Sequence, residues 1–262
     1  MMNRTCAVAG MFYPRDPSHL EQVLEKYFRG TGRPTGAIGV VSPHAGYVYS
    51  GAVAAMAIGC ISPDYRGTIV VIGPSHRGFQ TCVSMIPWET PLGIVDVDAE
   101  YVNALDIEVD EVSHQDEHSL EVQMPFLKFR FHGARIAPVM MGDQSYESAE
   151  WLADRIITAA EDLGREIRIV ASSDFSHYVP ESQARKQDLL AIEALERYDV
   201  KEFYRRIGEL GVSACGYGPI AAMALASRSM GATKVCLVRY ATSGDVTRER
   251  DKVVGYAAIA VM

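Results

Sequence analysis

The feature that most constrains this chain is a series of short runs that are apolar on consecutive residues: 37–42 (AIGVVS), 68–73 (TIVVIG), 136–141 (IAPVMM), 167–172 (IRIVAS), 234–240 (KVCLVRY) and 253–261 (VVGYAAIAV). A strand with one wet face alternates apolar and polar residues. Unbroken apolar runs belong to strands buried on both faces, as in a sheet covered by helices. Between the runs lie helical stretches at 50–60, 117–129, 146–163, 181–197 and 219–230. An earlier helix starts at Asp16-Pro17-Ser18, places Leu20, Val23, Leu24, Tyr27 and Phe28 on one face, and stops at Gly30. Strands alternating with helices predict an α/β sandwich with a central, largely parallel or mixed sheet. Segment 80–97 differs, because Pro87, Pro91 and Gly93 predict an antiparallel hairpin at one edge. No linker or repeat divides the chain, so a single domain over 1–262 is expected.

Hydrophobic residues make up 48% and charged residues 22%, enough apolar surface for a full core and too much for disorder. The net charge of −8 repels phosphate backbones and excludes non-specific nucleic-acid binding. No apolar run approaches the ~20 residues that span a bilayer. The N-terminus lacks the apolar core of a signal peptide. Five scattered cysteines without a CxxC pair make a disulfide framework improbable, and a cytoplasmic location is expected.

Three of the runs lead straight into a loop that carries histidine. Strand 37–42 runs into Pro43-His44-Ala45-Gly46-Tyr47, strand 68–73 into Pro74-Ser75-His76, and strand 167–172 into Ser173-Asp174-Phe175-Ser176-His177. Ligands of open α/β sheets bind beyond the carboxyl ends of the strands. One loop histidine is usually an ordinary surface residue; three at equivalent strand ends point to a site. His44 and His76 are 32 residues apart, about one βαβ unit of ~30 residues, and would emerge side by side if their strands are neighbours. Cys215 lies in a glycine-rich turn feeding a helix, where the helix dipole favours a thiolate; a small buried core residue is the equally good reading. In Asp116-Glu117-His118-Ser119-Leu120-Glu121 the acids suit a helix start, whereas His118 does not and is expected at the mouth of the site.

Two imidazoles and a thiolate, His44, His76 and Cys215, could form a facial set for Fe(II), Zn or Cu, with Asp174 and His177 as supporting or acid–base groups. GxSxG, P-loop, GxGxxG and HExxH motifs are absent. A metal-free Cys215–His177 hydrolase is the rival enzyme, and it leaves His44 and His76 without a role.

The segments AGMFYP (9–14), SPHAGYVYSG (42–51), GPSH (73–76), DEHSLEVQMPFL (116–127), SSDFSHY (172–178), CGYGPI (215–220), YATSGDV (240–246) and VVGYAAI (253–259) together resemble the Memo family, known in prokaryotes as AmmeMemoRadiSam system protein B. The resemblance implies a fold similar to class III extradiol dioxygenases, which hold non-haem Fe(II) with two histidines and a glutamate. It implies His44, His76 and Cys215 as metal ligands, the cysteine standing where the dioxygenases have glutamate. His177 would match their acid–base histidine. Asp174, His118, Glu117, Ser75 and Tyr47 would line or border the pocket. Fe(II) is the implied metal, with Cu or Zn as alternatives, and the implied activity is that of a metal-dependent oxidoreductase. A small-molecule or peptide ligand and radical-SAM-system proteins are the implied partners. One departure is Gly218, where some relatives carry a histidine. A binding module that kept the fold and lost catalysis is the alternative reading.

Overall fold

In the computed structural model, which describes residues 3–262, the strands are β1 (Gly39–Ser42), β2 (Thr68–Pro74), β3 (Cys82–Val83), β4 (Trp88–Thr90), β5 (Gly93–Val95), β6 (Arg135–Met141), β7 (Ile167–Ser172), β8 (His177–Val179), β9 (Val235–Thr242) and β10 (Val253–Val261). Eight of them make one mixed sheet in the order β3-β6-β2-β7-β1-β10-β8, with β9 also paired to β10. The centre, β6-β2-β7-β1, is parallel, and β3, β8, β9 and β10 join antiparallel. The α/β sandwich with a mixed sheet is thus as expected. Among the described residues no helix is long and apolar enough to cross a membrane.

Side chains of successive strand residues enter opposite layers. Val41, Val70, Ile72, Ala137, Val139, Ile169 and Ala171 pack into one core with helices Tyr146–Asp162, Glu181–Glu196, Val200–Leu210 and Tyr217–Ser229. Val40, Ile69, Val71, Ile136, Met140 and Val170 pack into the other with helices Pro17–Arg29, Tyr47–Ile58 and Met124–Arg130. Every residue of β2 is buried, the physical counterpart of its unbroken apolar run. The first helix follows its signals: Asp16 accepts from the His19 amide, Pro17 opens the helix, and Gly30 ends it.

Three expectations need correction. First, β1 and β2 are not neighbours, because β7 lies between them. Second, 117–129 is not one helix but two, His118–Glu121 and Met124–Arg130. Pro125 has no amide to continue the ladder, and Gln123 turns its side chain inward to Ser42, Pro43 and Ser172. Third, the hairpin segment divides. β3 pairs antiparallel with β6 at the sheet edge, while β4 and β5 form a separate two-stranded sheet. A further helix, Val200–Leu210, is absent from the sequence-based expectation although its signals exist: an Asp199 cap, Val200, Phe203 and Ile207 on one face, and a left-handed Gly211 at its end.

Candidate metal centre

Strand register places the site. Ser42 of β1 lies level with Ser172 of β7, and Ile72 of β2 lies level with Ala171. Each chain then runs two residues past its strand end, to His44, His76 and Asp174. The loops of β1 and β2 close over the end of β7, so the two histidines meet although their strands do not. The His44 and His76 rings are 5.3 Å apart, centre to centre, and edge to face.

His118 joins them, 4.5 Å from His76 and 5.5 Å from His44 between ring centres. One nitrogen from each of His44, His76 and His118 lies within 4.8 Å of the others, so this cluster could hold a metal ion. His118, expected at the site, is a member of the cluster itself.

The hydrogen bonds behind the rings decide which nitrogen is offered. The Ser172 hydroxyl donates to the Ser119 carbonyl at 2.7 Å and accepts from Gln123 Nε2 at 2.8 Å. Its remaining lone pair, 2.9 Å from His44 Nδ1, can only accept, so Nδ1 carries the proton and Nε2 is free to bind a metal. His76 Nδ1 is 2.9 Å from Glu117 Oε1, which leaves its Nε2 free likewise. The same carboxylate oxygen lies 3.4 Å from His118 Nδ1. A carboxylate behind a ligating histidine fixes its tautomer and makes it a better donor. Burial would push the Glu117 carboxyl up, but hydrogen bonds from the His76 side chain and the Ser119 and His76 amides prevail and hold it at about 2. It is therefore a standing negative charge. Burial, and then His118 and His76, push His44 well below the usual imidazole range. His118 is lowered by burial and by His76. Neutral imidazoles are the ligating form.

Cys215 is brought to the same place. Its sulfur lies 3.2 Å from His44 Nε2 and accepts from the Asp174 amide at 3.2 Å. Burial, followed by the Asp174 charge, pushes the thiol up. The turn is tightly built: a Cβ at Gly216 would sit 2.5 Å from the Ser172 carbonyl oxygen, and one at Gly218 would sit 2.8 Å from the Cβ of Gln144.

A cavity of about 490 Å³ opens onto the cluster, lined by His44, His76, His118, Asp174 and His177 at its base and by Phe12, Tyr49, Tyr178, Tyr256 and Lys252 around them. Asp174 accepts the His44 amide at 2.9 Å, and burial raises its carboxyl to about 6. His177 donates its main-chain amide to Ser213 Oγ, and its Nδ1 lies 2.9 Å from the Ser213 carbonyl, an acceptor; Nε2 is thus the basic nitrogen. Of the other residues singled out from the sequence, Glu117 stands behind the histidines. Ser75 Oγ accepts the Phe79 amide. Tyr47 is buried beside an adjoining groove, its hydroxyl donating to the Val122 carbonyl.

The sequence reading passed over Gln123, Ser172, Phe12 and Lys252. Gln123 carried a signal, being a polar residue among Leu120, Val122, Met124 and Phe126 that must bury its amide against partners.

Comparison with known proteins gives matches over nearly the whole chain. The family model described as Memo-like protein matches residues 4–260. A MEMO1 family protein of Methanosarcina barkeri is 44% identical over 98% of this chain and 99% of its own. One from Methanothermobacter thermautotrophicus is 42% identical over 99% and 100%. One from Archaeoglobus fulgidus is 43% identical over 96% and 97%. With matches of this identity spanning essentially every element that builds the cluster, the chain belongs to the Memo family.

Proposed function

We propose that this protein is a cytoplasmic, non-haem metal-dependent oxidoreductase, with iron as the metal of first choice and copper or zinc as alternatives. The observation that carries the reading is the set of three imidazoles with mutually close donor atoms, two of them with Nδ1 committed behind them to Glu117 and Ser172. Nitrogen donors backed in this way, with a thiol alongside, fit a first-row transition metal. His44, His76 and His118 would hold the ion, and Cys215, touching His44, would be the sulfur ligand. A bound iron or copper would supply one-electron chemistry with dioxygen or a thiol.

The chain's own groups have separate tasks. His177 Nε2 takes a proton from a ligand in the cavity, and Asp174, raised to about 6, exchanges protons close to neutrality. Phe12, Tyr49 and Tyr256 limit water around the reacting end. A metal-free Cys215–His177 hydrolase finds less support, because the imidazole at the sulfur is His44 and burial disfavours the thiolate. The second reading is a non-catalytic module that binds a peptide, an anion or a metal cargo. The thiol favours it, since a sulfur beside a redox metal is itself oxidisable. The family resemblance supports radical-SAM-system proteins as partners.

The test has two parts. Metal content is measured in protein purified without chelator or affinity-tag metal, for wild type and for His44→Ala, His118→Ala and Cys215→Ala. Retention of wild-type metal by all three variants overturns the site. Oxygen consumption is then measured with catechols and thiols on iron- and copper-loaded protein. No uptake with either metal selects the binding module.

A further inference from the structure

We infer that a depression at the amino-terminal ends of the central strands, at the opposite end of the sheet from the imidazole cluster, binds a phosphate group between Arg66 and Arg135. The inference is independent of the metal reading and assigns the molecule a second site.

The depression holds about 490 Å³. It lies where Thr68 opens β2, Arg135 opens β6 and residues 164–166 lead into β7. These three strands are parallel neighbours, so their starts gather at one end of the sheet. Arg66, Arg135 and Arg165 line the depression together with Asp64, Asp98 and Glu166. At its margin Glu166 pairs with Arg168, Glu100 pairs with Arg165, and Asp64 lies close enough to Arg130 to favour its charge. Five arginines thus meet four carboxylates, on a chain whose net charge is −8. The surplus cation is a local reversal of the prevailing field.

The open donors show where an anion would sit. Asp98 is buried, and its Oδ2 accepts from the Thr68 hydroxyl and from Arg165 Nη1 at 2.5 Å. With that oxygen taken, Arg135 Nη2 comes no nearer to it than 3.6 Å, which is beyond hydrogen-bond reach, and the Arg135 side chain is half exposed. Arg66 spends Nη1 on the Pro63 and Tyr65 carbonyls at 2.8 and 3.1 Å, and among the described residues it pairs with no carboxylate. Its Nε and Nη2 are left to take an acceptor. The main-chain bonds fix the guanidinium in advance, which lowers the cost of ordering it around a ligand. The two arginines rise from adjoining stretches of chain. The Arg135 amide donates to the Gly67 carbonyl at 3.2 Å, and a Cβ on Gly133 would lie 3.6 Å from Arg66 Cδ. Two guanidinium forks suit a tetrahedral phosphate, whose oxygens can face both at once, better than a flat carboxylate with two oxygens. The volume exceeds that of the phosphate alone and leaves room for a small body that carries it.

The test is binding of inorganic phosphate, phenyl phosphate and acetate to the metal-free full chain, by calorimetry and by titration of the backbone amide resonances. Both phosphate probes are expected to bind about tenfold or more tighter than acetate, and added salt to weaken them. The Gly67 and Gly133 amide resonances are expected to move with phosphate, and those of His44 and His76 to stay. Arg66→Gln and Arg135→Gln are each expected to weaken phosphate binding by about tenfold, and Arg135→Lys by less. Both arginines are exposed, so the variants should keep the wild-type thermal midpoint. Phenyl phosphate binding tighter than inorganic phosphate identifies a monoester whose body fills the rest of the depression; equal binding identifies the phosphate group alone. Acetate binding as tightly as phosphate overturns the inference. So does a phosphate affinity that survives both glutamine substitutions, since the anion then sits elsewhere, and so does no binding of either phosphate probe.

Discussion

Glu117 holds His76 at two points: Oε2 accepts its backbone amide at 2.8 Å, and Oε1 lies 2.9 Å from Nδ1 of its ring. The carboxylate thus fixes both where the loop after β2 stands and which nitrogen its histidine offers. It does so from a buried position at the start of the His118–Glu121 helix, where it also caps that helix through the Ser119 amide. Replacing it with glutamine keeps the shape and removes the charge. Glu117→Gln is expected to lower metal affinity by about 10–100-fold, measured by competition with a chromophoric chelator. Unchanged affinity would mean that the His44, His76 and His118 cluster is not where the metal sits.

One turn further on, Glu121 has a different task. It accepts from the amides of Ala7 and Val8 and from the Tyr13 hydroxyl, and it pairs with Arg4, both partners being fully buried. Arg4 in turn donates to the His114 and Glu117 carbonyls and lies 4.2 Å over the Trp88 ring. Removing one member of a buried pair strands the other charge. Glu121→Ala is expected to cost roughly 3–5 kcal/mol and to lower the thermal midpoint by on the order of 10 °C. The N-terminal segment that carries Phe12 to the cavity should become accessible to protease at the same time. A midpoint within a degree or two of wild type would show that the segment is held by apolar contacts alone.

These two acids show how far the site could be read in the sequence. The strand-end histidines were legible because a β-branched run ending in a polar loop is a local signal, and His44, His76 and Asp174 do stand two residues past three aligned strand ends. Strand order was not legible. That β7 separates β1 from β2 depends on long-range pairing, which no local spacing encodes. Glu117 and Glu121 were read as helix-start acids. That explanation was sufficient locally, and it concealed that one orients two imidazoles while the other anchors the N-terminus. A side chain's local role does not exhaust its lone pairs. Likewise Ser172 looked like the tail of a strand, although its hydroxyl determines the tautomer of His44.

Gly218, in the turn after Cys215, is packed closely against Gln144. Its amide donates to Gln144 Oε1 at 2.9 Å, and an added Cβ would lie 2.8 Å from Gln144 Cβ and 3.0 Å from its Cα. Gln144 also donates to the Cys215 carbonyl, so the side chain that clashes is the one that braces the cysteine turn. Gly218→Ala is expected to destabilise by about 1–3 kcal/mol, read from chemical denaturation. Gly218→Ala combined with Gln144→Ala should not recover the loss, because alanine keeps the Cβ and Cα that the added methyl meets and the brace is then missing as well. Full recovery would show that the overlap lies with the outer part of the Gln144 side chain and that the brace contributes nothing.

His114 gives a pH dependence that can be assigned to one group. It is fully buried, edge-on to Trp88 with ring centres 5.8 Å apart, and neither ring nitrogen has a hydrogen-bond partner among the described residues. Burial lowers it to about 4 from an ordinary value of 6.5. Between those two values the unfolded chain binds a proton that the folded chain refuses. Stability is therefore complete above the unfolded value and is lost as pH falls from 6.5 towards 4, in total on the order of 3 kcal/mol. His44, lowered for the same reason, adds to the loss in wild type, so the comparison must be with a variant at position 114 alone. His114→Phe fills the same space without a titrating group or orphaned nitrogens. Its urea midpoint should equal or exceed that of wild type at pH 7.5, and the gap should widen in its favour as pH is lowered to 4.5. Parallel curves for the two proteins would show that His114 keeps its ordinary affinity for protons inside the fold.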